Sequence, residues 1–298
     1  DINMGCPAKK VAAKGSGAAL IRTPELAKTI IQSARKGIED WHAGQTLADL
    51  GIEPELGVMV SFANRMRGGR ETAARRPLIP LSVKTRIGYD RVVVEEWTQT
   101  LLAESPAAIT LHGRTLEQGY KGSADWDAIG RAVEIAKNSA TLVLGNGDLK
   151  DLATAHRRVC ETGVDGVLFG RAAQGNPWIF RAKDRVKQAL RSSADVTMDA
   201  PSVDIEERFR VLLEHSRYFD KHSLVGNFVA MRKHLAWYCC DSPGAAELRA
   251  QMVRVNRIEE VVQCLRSYVS RLGSQFDPAG PVLHETDSPV TNTIFSFS

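Results

Sequence analysis

The sequence predicts an α/β protein whose parallel strands alternate with helices, followed by a small all-helical region. Three observations carry this. Between residues 79 and 170, short apolar runs alternate with amphipathic runs at roughly 30-residue spacing, the pattern of parallel strands joined by helical crossovers. Each strand candidate ends in a polar or glycine-rich cluster. From residue 204 to 272 the pattern is helical throughout.

The elements follow in order. Asp1-Ile2-Asn3 reads as a strand end running into Met4-Gly5-Cys6-Pro7. Residues 24–37 predict a helix, with Thr23 as cap, Pro24 in the first turn and Leu26, Ile30 and Ile31 on one face. Residues 38–78 are longer than a βα connection needs and read as a solvated surface insertion. Its Arg65, Arg67, Arg70, Arg75 and Arg76, with Gly68-Gly69, could also touch a polyanion. Strands are predicted at 79–87, 107–112, 141–145 and 165–170, and helices at 91–104, near 126–138 and at 149–162. The expected organisation is a barrel portion over 1–192, a polar linker at 193–203, a helical domain at 204–272 and a disordered tail at 273–298. A barrel and a doubly wound open sheet both place ligands at strand carboxyl ends. No G-x-G-x-x-G opens a helix, which lowers the open-sheet option.

Composition narrows the class. The 298 residues are 43% hydrophobic and 25% charged, with a net charge of +4. These are ordinary globular values, and the charge is compatible with a polyanionic partner without requiring one. The 5 cysteines are odd in number and none has C-x-x-C spacing, so neither a disulfide framework nor a metal site is expected. No apolar run is long enough for a membrane span and no signal peptide is visible, so a cytoplasmic setting is expected.

The strand-end clusters carry the chemistry. Gly145-Asn146-Gly147-Asp148 and Gly170-Arg171 end two consecutive strands, where glycines let backbone N–H groups approach a phosphate and Arg171 could grip its oxygens. Turn punctuation is the plainer reading of either cluster alone. Lys84 lies within an apolar strand and, if it points into a barrel mouth, needs an anionic or electron-rich partner. His112 ends its strand as part of His112-Gly113-Arg114. Cys6 follows a strand end and precedes a proline; a thiol there could be nucleophile, metal ligand or acid. No paired ligand spacing supports metal and no Cys-His-Asn order supports a protease, which leaves proton donation as the chemistry to test.

These motifs resemble, in order, those of the tRNA-dihydrouridine synthases. The residues are Asp1-Ile2-Asn3-Met4-Gly5-Cys6-Pro7, Val83-Lys84-Thr85-Arg86, Leu111-His112-Gly113-Arg114-Thr115, Tyr120-Lys121-Gly122-Ser123-Ala124-Asp125-Trp126, Gly145-Asn146-Gly147-Asp148 and Gly170-Arg171. Met231-Arg232-Lys233-His234-Leu235-Ala236-Trp237-Tyr238 is similar to the helical domain of the bacterial branch. The resemblance implies a TIM (β/α)8 barrel that binds FMN, followed by an RNA-binding helical domain. It implies reduction of the C5–C6 bond of tRNA uridines, with NADPH as reductant. By the same resemblance Cys6 is the general acid. Lys84 and His112 face the flavin. Asn146, Gly147, Asp148, Gly170 and Arg171 hold the ribityl-phosphate, and Asn3 and Arg114 face the uridine or nearby RNA. A monomer is expected.

Two departures from the family pattern stand out. The family's barrel begins well upstream of the Asn-x-Gly-Cys-Pro loop, so the chain reads as N-terminally incomplete and, alone, inactive. The segment at 38–78 is not part of the expected pattern. The rival functions are an FMN-barrel dehydrogenase of free pyrimidines and a truncated RNA-binding paralogue without catalysis.

Overall fold

The structure is a computed structural model describing residues 1–66, 76–192, 202–223, 227–240, 242–273 and 276–278. Arg67, Gly68-Gly69, Arg70 and Arg75 of the basic loop lie outside the described residues, as do 193–201 of the linker and the chain beyond 278. Two compact units emerge, one of residues 1–150 and 154–169 and one of 151–153 and 170 onward.

The first unit is built on one parallel sheet whose five strands lie side by side in chain order: β1 (Ile2–Met4), β2 (Ser82–Arg86), β3 (Ala108–His112), β4 (Leu142–Asn146) and β5 (Gly166–Leu168). Sequential neighbour order is what the wall of a (β/α) barrel has, whereas a doubly wound sheet reverses direction at a switch point. A one-turn helix α1 (Lys9–Ala12), α2 (Pro24–His42) and α3 (Pro54–Met66) lie between β1 and β2. Helices α4 (Val94–Leu102), α5 (Trp126–Ala136) and α6 (Leu152–Thr162) follow β2, β3 and β4.

Register assigns every strand residue to a face. Ile2, Met4, Val83, Thr85, Ile109, Leu111, Val143 and Gly145 share one face. Its apolar members pack with Ile31 of α2, Trp97 and Leu101 of α4, and Trp126 and Ile129 of α5 into one core. Each fully buried Ile or Leu there contributes about 1.5–3 kcal/mol. Thr85 is tolerated on this face because its hydroxyl is satisfied twice. It donates to the Met4 carbonyl at 3.0 Å and accepts from Trp97 Nε1 at 3.0 Å. The opposite face carries Asn3, Lys84, Arg86, His112 and Asn146.

Helix α2 departs from its sequence reading in two ways. Thr23 occupies the cap position but its side chain makes no capping bond. The buried face is Ala27 and Ile31, whereas Leu26 is 49% exposed. Ala27, Ile31, Ala34 and Ile38 advance by four, three and four, so the stripe runs on them and Leu26 lies about 100° off it. The segment expected to be a solvated surface insertion is helical over 38–42 and 54–66, since α2 runs to His42 and α3 spans Pro54–Met66. None of the α3 side chains is buried.

In the second unit, 3₁₀ turns at Arg171–Ala173 and Pro177–Phe180 precede α7 (Lys183–Ser192), α8 (Ile205–His222), α9 (Arg232–Tyr238), α10 (Ala245–Met252) and α11 (Ile258–Arg271). Phe209, Leu212, Leu213, Met231, Leu235, Leu248, Val261 and Leu265 form its core. Asp204 caps α8 by accepting the Glu207 N–H at 2.7 Å. In the Arg232-Lys233-His234 cluster, Arg232 is spent on the fold, donating to the carbonyls of Val255 (2.8 Å) and Arg254 (3.0 Å). Lys233 is exposed, and the His234 ring lies 4.8 Å from Trp237 and 5.3 Å from His215.

Candidate active site

Because all five strands run parallel, their carboxyl ends share one rim. Arg86, His112, Asn146 and Leu168 are register partners at that rim, and Asn3 and Lys84 are partners two residues further in. The first unit therefore brings Asn3, Lys84, His112 and Asn146 to a single face, and the Cys6 loop follows β1 at the same edge.

Lys84 reaches across β3 to Asn146, its Nζ donating to Oδ1 at 3.4 Å, and Asn146 Nδ2 donates to the Leu168 carbonyl at 2.8 Å. The amide is thus oriented by β5 and presented to Lys84. Burial, followed by the charge of Arg86, lowers the Lys84 pKa below the ordinary lysine range. His112 is pushed down to about 3, first by burial and then by the cations Arg86, Lys84 and Arg114. Its imidazole is neutral at physiological pH in a field of positive charge.

The Cys6 loop is tied down on both sides. Asn3 Oδ1 accepts the Gly5 N–H at 3.0 Å. Arg86, 3% exposed, donates from Nε to the Gly5 carbonyl at 2.8 Å and from Nη1 to the Thr115 carbonyl at 3.0 Å. The Cys6 carbonyl accepts the Ala18 N–H at 3.1 Å. Gly17, at φ 62°, permits that approach, because a Cβ there would press on the Cys6 carbonyl and Cβ. Cys6 itself is half-buried.

Arg86 and Gly17 were missed as functional positions in the sequence. For Arg86 a signal existed: in a strand, residues i and i+2 share a face, so Arg86 must lie with Lys84. For Gly17 none did.

The strand-end clusters also bind one another. Arg114 is 2% exposed; its Nη2 donates to the Gly122 carbonyl and to Asp148 Oδ2, both at 2.6 Å, and its Nε to the Lys121 carbonyl at 3.3 Å. Asp148 Oδ2 also accepts the Ala124 N–H at 2.8 Å. Trp126 Nε1 donates to the Gly147 carbonyl at 3.0 Å, and a Cβ on Gly145 would collide with the Trp126 ring. The observed bonds of Arg114 and Asp148 are therefore scaffold bonds; of the three Arg114 side-chain nitrogens, Nη1 alone has no hydrogen-bond partner among the described residues. Gly170 and Arg171 open the second unit, and their assignment to a phosphate rests on the sequence.

A family model described as dihydrouridine synthase matches residues 1–67 and 70–272. The chain belongs to the dihydrouridine synthase family. The match passes through 38–67 and 70–78, all but two residues of the segment expected to be an insertion. Among related synthases, tRNA-dihydrouridine synthase B of Pseudomonas aeruginosa is 33% identical over 273 residues, covering 89% of this chain and 65% of its own length. The Pseudomonas putida protein of the same name is 32% identical over 270 residues, covering 89% and 64%. The probable tRNA-dihydrouridine synthase 1 of Synechocystis is 30% identical over 273 residues, covering 91% and 63%. The chain thus spans 63–65% of the length of these dihydrouridine synthases. No helix among the described residues is long and apolar enough to cross a membrane, and no group of three or more His, Cys, Asp or Glu side chains there could hold a metal ion.

Proposed function

We propose that the protein reduces uridine to 5,6-dihydrouridine in tRNA, with FMN as cofactor and NADPH as reductant. The observation that carries the reading is the clamped Cys6 loop standing on the same rim as Lys84, His112 and Asn146.

The donor set on this face suits a flavin. An ammonium, a carboxamide and a neutral imidazole offer N–H groups to the oxygens and nitrogens of a polar heteroaromatic ring, and the surrounding cations favour its anionic reduced form. When bound, the reduced flavin supplies the hydride that adds to C6 of the uridine. That addition leaves negative charge delocalised toward C5 and the C4 carbonyl, and C5 must take a proton. Cys6 supplies it: the S–H bond breaks, a C5–H bond forms and a thiolate remains, to be reprotonated from solvent. Arg86, which donates to the Gly5 carbonyl, positions the loop that carries this thiol. Lys84, His112 and Asn146 would hold the flavin ring, Gly147 and Asp148 shape the corner beside it, and Asn3 stands on the uridine side, while the buried Arg114 supports the neighbouring loop. The target base must leave its stack to reach such a face, which favours an exposed single-stranded segment of the RNA.

The test is a turnover assay on the full-length gene product with tRNA and NADPH. Dihydrouridine should form, and Cys6→Ala should keep the flavin absorbance while losing about 10²–10⁴ in rate. A Cys6→Ala protein with wild-type turnover removes the acid assignment; activity on free uracil without tRNA removes the RNA assignment.

A further inference from the structure

The loop after β3 is built with unusual thoroughness. Leu116 and Glu117 donate their N–H groups to the carbonyls of Gly88 and Tyr89, each at 3.0 Å. Gly119 N–H donates to Leu116 at 3.0 Å and Lys121 N–H to Gln118 at 2.8 Å. The Lys121 and Gly122 carbonyls are held by the buried Arg114, and Thr115 by the buried Arg86. Two left-handed glycines, Gly119 at φ 58° and Gly122 at φ 62°, bracket Tyr120-Lys121 and turn the chain sharply on either side. The product of this construction is a tyrosine 67% exposed beside an exposed lysine. A mobile surface loop needs no buried arginine beneath it, and an aromatic ring whose purpose was packing would be covered.

We infer that Tyr120 and Lys121 form a rigid rim element that grips the RNA next to the target uridine, Tyr120 by stacking on a neighbouring base and Lys121 by pairing with its phosphate. The element stands on the rim that carries the Cys6 loop, tied to it through Arg86. A base flipped toward that face leaves its neighbours unstacked, and an exposed ring is the surface on which an unstacked base settles at little conformational cost. This rests on the RNA reading above and gives it a specific contact. It also assigns buried Arg114 a positioning role, holding the loop from beneath.

Binding of an unmodified tRNA transcript to the full-length protein tests it. Tyr120→Ala should weaken binding roughly tenfold, Tyr120→Phe should stay within about twofold, and Tyr120→Trp should bind at least as tightly as wild type, since stacking follows ring area. Lys121→Ala should lower the slope of log K against log salt by about one. The melting temperature of each variant is read alongside, so that a binding loss without a matching loss of stability marks a direct contact with the RNA. Wild-type affinity in Tyr120→Ala overturns the inference, as does equal weakening by Phe and Ala, which would place the effect in the hydroxyl. A wild-type protein that binds no tRNA defeats the RNA reading itself, whereas wild-type binding with an indifferent Tyr120→Ala defeats only the rim element.

Discussion

Arg86 on β2 donates from Nε to the carbonyl of Gly5, 81 residues away, at 2.8 Å, and from Nη1 to that of Thr115 at 3.0 Å. One buried guanidinium thus joins the loop that carries the thiol to the loop that follows His112. The planar fork of arginine suits this, since it can serve two carbonyls at once in a fixed geometry.

Replacing Arg86 with methionine should leave two inward carbonyls unsatisfied and cost about 2–4 kcal/mol of stability. Urea denaturation measures that. Iodoacetamide should alkylate Cys6 faster in the variant, because the Gly5 tether is gone, and Arg86→Lys should recover the two effects only in part. An unchanged alkylation rate would mean that Arg86 does not hold the thiol loop.

Asp148→Asn removes the charge opposite Arg114, whose side chain is 3% exposed against 32% for the aspartate. Breaking a fully buried pair costs about 3–5 kcal/mol; with Asp148 partly in solvent, roughly 2–3 kcal/mol is expected. A fall in the urea midpoint of the corresponding size is the readout, and a loss well below 1 kcal/mol would show that the pair does not support the corner.

His112 makes stability fall toward acid. Its pKa is 6.5 in the unfolded chain and about 3 in the native state, so folding is favoured by the neutral ring. That contribution is fully present above pH 6.5 and is lost as the pH falls from 6.5 toward 3, because the unfolded chain takes up the proton first. The slope in that window is at most about 1.4 kcal/mol per pH unit, less for the part of the ring that solvent reaches. His112→Gln should flatten the acid limb of the stability curve between pH 6 and pH 4, as read by denaturation at each pH. An unaltered limb would place the acid sensitivity elsewhere.

Gly145→Ala puts a methyl group into the Trp126 ring. Overpacking of this kind costs about 1–3 kcal/mol and should lower the melting temperature and shift the tryptophan emission. Ordinary stability in this variant would mean that the ring has room to withdraw.

Much of this protein was readable in one dimension. The strand–helix alternation between residues 79 and 170 specifies parallel strands, because period-2 apolar runs and amphipathic helical runs can bury their faces together only in that layered arrangement. Strand parity alone puts Lys84 with Arg86 on one side and Val83 with Thr85 on the other. The motifs at the strand ends marked the rim. What the sequence left open was which polar groups meet each other. Arg114 and Asp148 are 34 residues apart, and Arg86 and Gly5 are 81 apart. Such bonds depend on sheet register and on how closely two loops approach, quantities that no local pattern encodes. Hence Arg114, expected to face a nucleotide, turned out to be buried in the scaffold, and Arg86 emerged as the clamp on the thiol loop. Residue type decided which chemistry could be assembled here; the approach of distant strands decided which side chains are spent on holding the others in place.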